Sequence, residues 1–349
     1  MTLFTKLFKD KPIILAPMFE VSNLPFRLFC KEQGAAASIS EFISVNQLVY
    51  VLRNNLDFPK NLKYQIQTDP REQPVGLQLF GFDSSHFKEL GQLFDVQKYG
   101  FNFLDLNIGC PVPKICNIGA GSKLLAEENF SKLEDILKTI KKAFPDTPFS
   151  IKIRAGYKKY LDIEKFAEII NSIDLLHVTI HPKLATVSKD KSNSVNYEIS
   201  KQFVKAIDHP VIINGKITSL SMAEDLMNIT GSAGAMIGRQ AQKYPWVFNE
   251  KYQQEIASTL FIDGLNYLLD LNKEFGFGKL HMIRDQTLGM IRGFSGSKQN
   301  RQELQHNITS LNDLYLFIEK IDKFFQENGI EKIKNIMEKS NLPIINPIS

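Results

Sequence analysis

Only three of the 349 residues are cysteines (Cys30, Cys110 and Cys116), an odd number without the paired spacing of a metal cluster. That scarcity excludes a disulfide scaffold and suits a reducing compartment. Histidine is also sparse, with six, and no metal site is expected from them. No apolar run approaches the ~20 residues of a membrane span. Met1 to Asp10 is too short and too soon charged to be a signal peptide. No low-complexity tract breaks the pattern, so disorder is expected only near the ends. A strong charge imbalance is missing too: the net charge is +4, which permits a nucleic-acid partner without arguing for one. The expectation is a cytoplasmic, monomeric protein with no metal and no membrane.

What is present is regular. With 43% hydrophobic content the chain can form one large domain and a smaller one. Short apolar runs alternate with amphipathic segments of helical length over about the first 245 residues, the usual size of an eight-stranded β/α barrel. The strand-like runs are Ile13–Ala16, Ala37–Ser40, Val75–Leu79, Phe103–Leu106, Phe149–Ile153, Leu175–Ile180, Val211–Ile213 and Ala235–Ile237. Helices are expected over Asn23–Gln33, Ser84–Lys98, Phe130–Phe144, Ile163–Asn171 and Tyr197–Ala206, with another started by Thr218 or Ser219. This alternation favours a closed (β/α)8 TIM barrel, with an open doubly wound sheet as the alternative. From about residue 251 the pattern changes to helical periodicity alone, over Ile256–Phe275, Leu280–Arg292 and Leu311–Phe325. The division expected is a barrel over 1–250 and an all-helical domain over 251–349, tightly packed because no flexible linker separates them.

Active sites of such barrels lie at the C-terminal ends of the strands. Those ends carry Pro17 and Met18, then Gln78, Asn107 with Cys110, Lys152 with Arg154, His181, Asn214-Gly215 and Gly238-Arg239. The last two pairs put small residues and a fork-shaped cation where barrels bind phosphate. Either pair alone reads more simply as turn chemistry; their joint occurrence favours phosphate. Lys152 and Arg154 alternate with Ile151 and Ile153, so both point inward and need an anionic partner, for which an anionic flavin ring would serve. Gln78 alternates in the same manner and could hydrogen-bond a flat heterocycle, or be a buried structural amide. A lone His181 is ordinarily structural, and only its place at a strand end raises it.

Cys110 stands between Gly109 and Pro111, just after a buried run, in a loop stiffened by proline and permitted by glycine. A structural cysteine ordinarily sits among apolar neighbours. This one is presented as a nucleophile, a general acid or an inert thiol, and spacing alone does not choose among them. Cys116 shows no comparable setting and is read as structural.

In order along the chain stand Leu15-Ala16-Pro17-Met18 with Pro25-Phe26-Arg27, and Val75-Gly76-Leu77-Gln78-Leu79-Phe80-Gly81. Asn107-Ile108-Gly109-Cys110-Pro111 follows, with Gly119-Ala120-Gly121-Ser122-Lys123-Leu124-Leu125. Ile151-Lys152-Ile153-Arg154-Ala155-Gly156, Ile212-Ile213-Asn214-Gly215 and Met236-Ile237-Gly238-Arg239 complete the set. Each motif is weak alone, but the ordered set resembles the tRNA-dihydrouridine synthases across the whole barrel. The resemblance implies an FMN-bearing barrel, a C-terminal helical bundle that contacts RNA, and NADPH-dependent reduction of the uracil C5–C6 bond in tRNA. It implies hydride delivery from FMN to C6 and a proton from Cys110 to C5, with the base extruded from its stack. Pro17, Met18, Phe19, Gln78, Lys152, His181, Asn214, Gly215, Gly238 and Arg239 match FMN-contacting positions, and Asn107 and Arg154 match positions near the uracil.

The match has departures. Pro182-Lys183-Leu184 stands where the family usually has Gly-Arg-Thr, and Lys216 follows Asn-Gly where an acidic or small residue is common. Pro182 removes a backbone donor, and Lys183 is expected to replace the absent arginine as a point charge toward RNA. In the tail, Lys279, Arg284, Arg292, Lys298 and Arg301 form a basic window whose only acid is Asp285, although the tail as a whole is neutral. Arg292 and Arg301 are expected to contact RNA phosphates; a solvated helix face is the plainer explanation. The competing readings are an FMN barrel reducing a free pyrimidine such as dihydroorotate, and a non-catalytic RNA-binding protein on a former enzyme scaffold. The helical tail argues against the first, the intact Cys110, Lys152 and phosphate-site glycines against the second.

Overall fold

A computed structural model of the chain describes residues 2–186, 195–277 and 280–336. Eight strands, all parallel, close into a ring: β1 (Ile13–Leu15), β2 (Ser38–Ile39, resumed at Ile43–Ser44), β3 (Val75–Phe80), β4 (Phe103–Ile108), β5 (Phe149–Gly156), β6 (Val178–Leu184), β7 (Val211–Asn214) and β8 (Gly234–Ile237). Closure is made by β1, which pairs Leu15 with Ser38 of β2 on one side and Ile13 with Ala235 of β8 on the other. The open doubly wound sheet is thereby set aside.

Each strand is followed by helix that covers its outer face. Asn23 caps the helix Leu24–Glu32 by accepting the Phe26 N–H at 3.1 Å. Of the two cap candidates near β7, Ser219 does the work, accepting the Met222 N–H at 3.1 Å. The helices Ile163–Asn171 and Tyr197–Ala206 have the expected bounds. The structure also departs from the expectations. The sixth strand is Val178–Leu184, not Leu175–Ile180, so it runs through His181 and Pro182 rather than stopping before them. Proline is tolerated there because the pairing with β5 is irregular between Arg154 and Gly156, where the missing N–H is not needed. The helix from Ser84 ends at Leu93, well short of Lys98. The stretch between β2 and β3, to which the sequence reading assigns no element, holds the helices Val45–Arg53 and Lys60–Gln65.

Inside the ring the inward positions form layers. Phe103, Ile14, Ile212 and Met236 make an apolar floor, and the helix Leu3–Phe8 closes it from below. Phe8 meets Phe103 edge-on at 5.5 Å and His177 at 5.6 Å. Gly76 has no alternative: a Cβ there would come within 2.3 Å of the Phe103 ring. Above the floor the inward side chains turn polar, and they face the C-terminal mouth.

The tail contains the helices Ser258–Glu274, Leu280–Met290, Ser297–Asn307 and Leu311–Asn328. Its first and last described segments, β9 (Glu255–Ala257) and β10 (Lys332–Lys334), pair antiparallel, a small sheet that helical periodicity did not foresee. A further departure is the helix Ser297–Asn307, which lacks an apolar stripe and buries only Asn300 and Leu304. Among the described residues, the buried apolar side chains of the tail belong to a cluster that extends into the barrel. Phe261, Leu265, Phe317 and Phe325 share one apolar cluster with Phe26 and Phe29 of the barrel and with Trp246. Gly264 lets the first tail helix approach, since a Cβ there would lie 2.5 Å from the Trp246 ring. Among the described residues, no helix is long and apolar enough to cross a membrane.

Candidate active site

The parallel strands direct their C-terminal ends to one mouth, and an open cleft lies there. Pro17, Met18, Lys152, His181, Asn214, Gly215, Gly238 and Arg239 line it together. Eight of the ten residues matched to flavin positions therefore converge on one cavity. Gln78 and Phe19 do not line it. Gln78 is fully buried below the mouth, and Phe19 is exposed on the rim, stacked on Phe42 at 5.4 Å. Lys216, Thr218 and Lys243 also line the cleft. Lys216 has a left-handed backbone (φ 53°), placed there by the tight Asn214-Gly215 turn. The lining role of Lys216 follows its position after that turn; nothing in the pattern around Lys243 announced it.

The electrostatics of the mouth are one-sided. Lys152 donates to Asn214 Oδ1 at 3.2 Å, and Asn214 Nδ2 in turn donates to the Met236 carbonyl at 2.7 Å, so the amide is locked and presents its oxygen to the amine. Burial, with Arg154 nearby, pushes the Lys152 ammonium down to about 8. Burial and the charges of Lys152, Arg154, Lys183 and Arg239 hold the His181 imidazole well below its ordinary value, so the ring is neutral at pH 7. His181 lies over Gly215, where a Cβ would come within 2.8 Å of the ring. Burial, and then Arg154, Arg239 and Lys216, also lower Lys183. Lys152, Lys216, Arg239 and Lys243 line the cleft, with Arg154 and Lys183 near it, a concentration of positive charge that favours an anionic ligand. Among the described residues, no group of three or more His, Cys, Asp or Glu side chains is placed to hold a metal ion.

The Cys110 loop leaves β4 at the same mouth. Asn107 Oδ1 accepts the Gly109 N–H at 3.0 Å and the Cys110 N–H at 2.9 Å, an Asx-type turn that sets the loop's direction. The Cys110 carbonyl accepts the Ser122 N–H at 3.0 Å and the Ser122 hydroxyl at 2.9 Å. Gly121 (φ 59°) lets that segment fold back, since a Cβ would lie 2.8 Å from the same carbonyl. Arg154 braces the other side, donating to the Gly109 carbonyl at 2.8 Å and the Leu184 carbonyl at 3.0 Å. The thiol itself is half-buried and free, and burial raises it above its ordinary value, which keeps it protonated near pH 7. Cys116 is buried and makes two 3.4 Å sulfur contacts, to the Cys110 carbonyl and to the Ser122 hydroxyl.

Arg292 and Arg301 lie in the tail, at the end of the Leu280–Met290 helix and in the Ser297–Asn307 helix. Each donates to a nearby carbonyl, Arg292 to Gly289 at 3.1 Å and Arg301 to Ile291 at 2.9 Å. The two guanidinium groups are near enough for Arg292 to lower Arg301, second to burial. Arg284 sits beside Asp285 at 3.9 Å, and Lys279 lies outside the described residues. Sequence reasoning missed Asp105 and Ser150, whose inward parity on β4 and β5 matches that of Asn107 and Lys152 and could have marked them.

The sequence profile of the dihydrouridine synthase family matches residues 14–321. A protein of Helicobacter pylori (strain 26695) described as "Probable tRNA-dihydrouridine synthase" is 28% identical over 93% of this chain and 95% of its own length. "tRNA-dihydrouridine synthase B" of Pseudomonas putida is 32% identical over 68% of this chain and 67% of its own. The protein of the same description from Xanthomonas campestris is 30% identical over 68% of each.

Proposed function

Since this chain belongs to the dihydrouridine synthase family, we propose that it reduces uridine to 5,6-dihydrouridine in tRNA, with FMN as cofactor and NADPH as reductant. The observation that carries this reading is the meeting, at one barrel mouth, of a cation-rich cleft and a braced loop presenting a protonated thiol.

The cleft fits FMN on its own chemistry. The Gly215 and Gly238 backbone lines the cleft, and Arg239 supplies a bidentate cation suited to a phosphate. When bound there, FMN would take hydride from NADPH and supply it to uracil C6. Lys152 would hold its proton beside the negative charge that gathers on the ring, since its amine is anchored by Asn214 and buried away from competing water. The neutral His181 and Pro17 would shape the wall around it. Hydride added at C6 leaves the electron pair of the C5–C6 bond at C5, and the Cys110 Sγ–H gives its proton to that carbon. The resulting thiolate recovers a proton from solvent, so one hydride and one proton are added and NADPH is oxidised. Asn107 and Arg154, which hold the loop from either side, would also border the base. A uridine reaches this mouth only after leaving its stack.

The cofactor assignment is tested directly. The purified protein is expected to be yellow and to release FMN on acid treatment. Lys152→Met should slow flavin reduction by NADPH by about 10- to 100-fold, the contribution of one charged hydrogen-bonding group. A colourless protein that takes up no added FMN, or unchanged reduction kinetics, would remove this assignment.

The RNA assignment has its own measurement. Arg292 and Arg301 lie outside the cleft, so replacing both by glutamine should weaken tRNA binding and flatten its salt dependence by roughly one counterion per lost phosphate contact. FMN content and flavin reduction should stay as in the parent. Parental affinity and salt slope would mean that the two arginines merely face solvent. A screen of free pyrimidines as flavin oxidants would then decide for the small-substrate alternative.

A further inference from the structure

Beneath the mouth runs a chain of buried polar side chains that starts from a residue the steps above do not use. Asp105, on β4, is 1% exposed and lies in the polar layer above the apolar floor. Its Oδ1 accepts the Ser150 hydroxyl at 2.7 Å and its Oδ2 accepts Gln78 Nε2 at 2.7 Å. Gln78 Oε1 accepts Asn107 Nδ2 at 2.9 Å. Asn107 Oδ1 then takes the N–H groups of Gly109 and Cys110. Three side chains on two neighbouring strands thus lead from a buried carboxylate, itself held by Ser150 of a third, to the backbone of the thiol loop.

The chain has a direction because its end is an anion. A carboxylate only accepts, whereas a primary amide can turn its oxygen or its nitrogen toward a neighbour. With Asp105 ionised, Gln78 must offer it Nε2, which leaves Oε1 facing Asn107. Asn107 must answer with Nδ2, and its oxygen is left for the two loop N–H groups. Reversing either amide would set like against like: oxygen against carboxylate, or NH₂ against N–H. Burial raises the Asp105 carboxyl to about 6, so it is still mainly ionised at pH 7, with Ser150, Gln78 and the charge of Lys152 supporting that form.

We propose that Asp105 is a positioning residue for Cys110: acting through Gln78 and Asn107, it fixes the amide orientations that hold the thiol loop where its proton can be delivered. The proposal deepens the reading of Cys110 as proton donor and rests on it.

Asp105→Asn keeps the shape and removes the direction, since an amide at 105 can offer Gln78 either end. Two measurements on the full-length flavoprotein decide the matter. Hydrogen exchange needs no RNA: the amides of Gly109 and Cys110 should exchange about tenfold faster or more in the variant, as expected when one or two buried hydrogen bonds become optional. Exchange in the helices Ile163–Asn171 and Tyr197–Ala206 should be unchanged. In the second measurement, Asp105→Asn should slow tRNA reduction by about 10- to 100-fold in the parent but by no more than about threefold in the Cys110→Ala background, because the two residues act as one unit. The KM for tRNA and the rate of flavin reduction should hold in both. Gln78→Met, which cuts the chain but leaves the carboxylate, should reproduce the pattern if the 105 variant folds poorly. Unchanged exchange at Gly109 and Cys110, or equal slowing with and without the thiol, overturns the proposal. Slowing by Asp105→Asn but not by Gln78→Met also overturns it, and assigns the effect to the charge on Lys152. A parent protein that fails to reduce tRNA overturns the function proposed above, while hydrogen exchange still decides the loop's dependence on Asp105.

Discussion

Replacing Cys110 by alanine is expected to slow tRNA reduction by about 10²–10⁴, the contribution of a well-placed general acid. Flavin binding and flavin reduction by NADPH should survive, because the cleft that would hold the cofactor is built from other strand ends. The loop itself should keep its shape, since its anchors are the Cys110 N–H and carbonyl, which alanine retains. Loss of rate would then report the missing proton and not a displaced loop. Cys116→Ala supplies the control. Cys116 contributes only long sulfur contacts, to that carbonyl and to the Ser122 hydroxyl, and Ser122 already satisfies the carbonyl twice at shorter range. A stopped-flow comparison of flavin reoxidation by tRNA in the two variants settles the point. Equal rates in the two would assign the proton to another group.

The largest expected effect on stability lies away from the mouth. Arg27 and Glu72 are both wholly buried, and their groups meet twice, with Nε to Oε2 at 2.6 Å and Nη2 to Oε1 at 2.9 Å. Arg27 completes its donors on the carbonyls of Ser22 at 3.0 Å and Gln67 at 2.9 Å. It thereby ties the helix after β1 to the segment leading into β3. Glu72→Ala would leave a guanidinium buried without its counter-charge, a change that costs about 3–5 kcal/mol. Arg71 gives the contrast: it pairs with Asp69 and Glu274 at the surface, and Arg71→Ala should cost no more than about 1 kcal/mol. Urea unfolding followed by Trp246, the only tryptophan and buried in the core shared with the tail, measures both variants on one scale. Similar midpoints for the two would mean that the buried pair is replaceable by relaxation of its surroundings.

The barrel was legible because its signals are local. Buried parallel strands are short apolar runs, and runs such as Phe103–Leu106 and Val211–Ile213 can hardly be anything else when helical segments follow each. The strand-end rule then converted that order into a site, and most of the cleft lining followed. Failures fell where the deciding partner is remote. Pro182 argues locally for a strand end, yet the irregular pairing of β5 with β6 admits it. The helix Ser297–Asn307 is too polar to show an apolar stripe, and forms with only Leu304 as its deep apolar contact. Gln78 was readable as an inward amide; that its two ends are claimed by Asp105 and Asn107 depends on three strands in register, which no single segment encodes.

The closure of β1 on β8 has a bearing on how the chain matures. During synthesis β1 emerges long before its second neighbour, so one edge stays unpaired until the segment around Ala235 has left the ribosome. A parallel edge awaiting so distant a partner is slow to be satisfied and prone to pair with the wrong chain. Even then Phe29 and the bulk of Trp246 remain uncovered, because their cover is Phe261 and Gly264 of the next helix. Chaperone dependence should therefore last past completion of the barrel and end when the first tail helix docks.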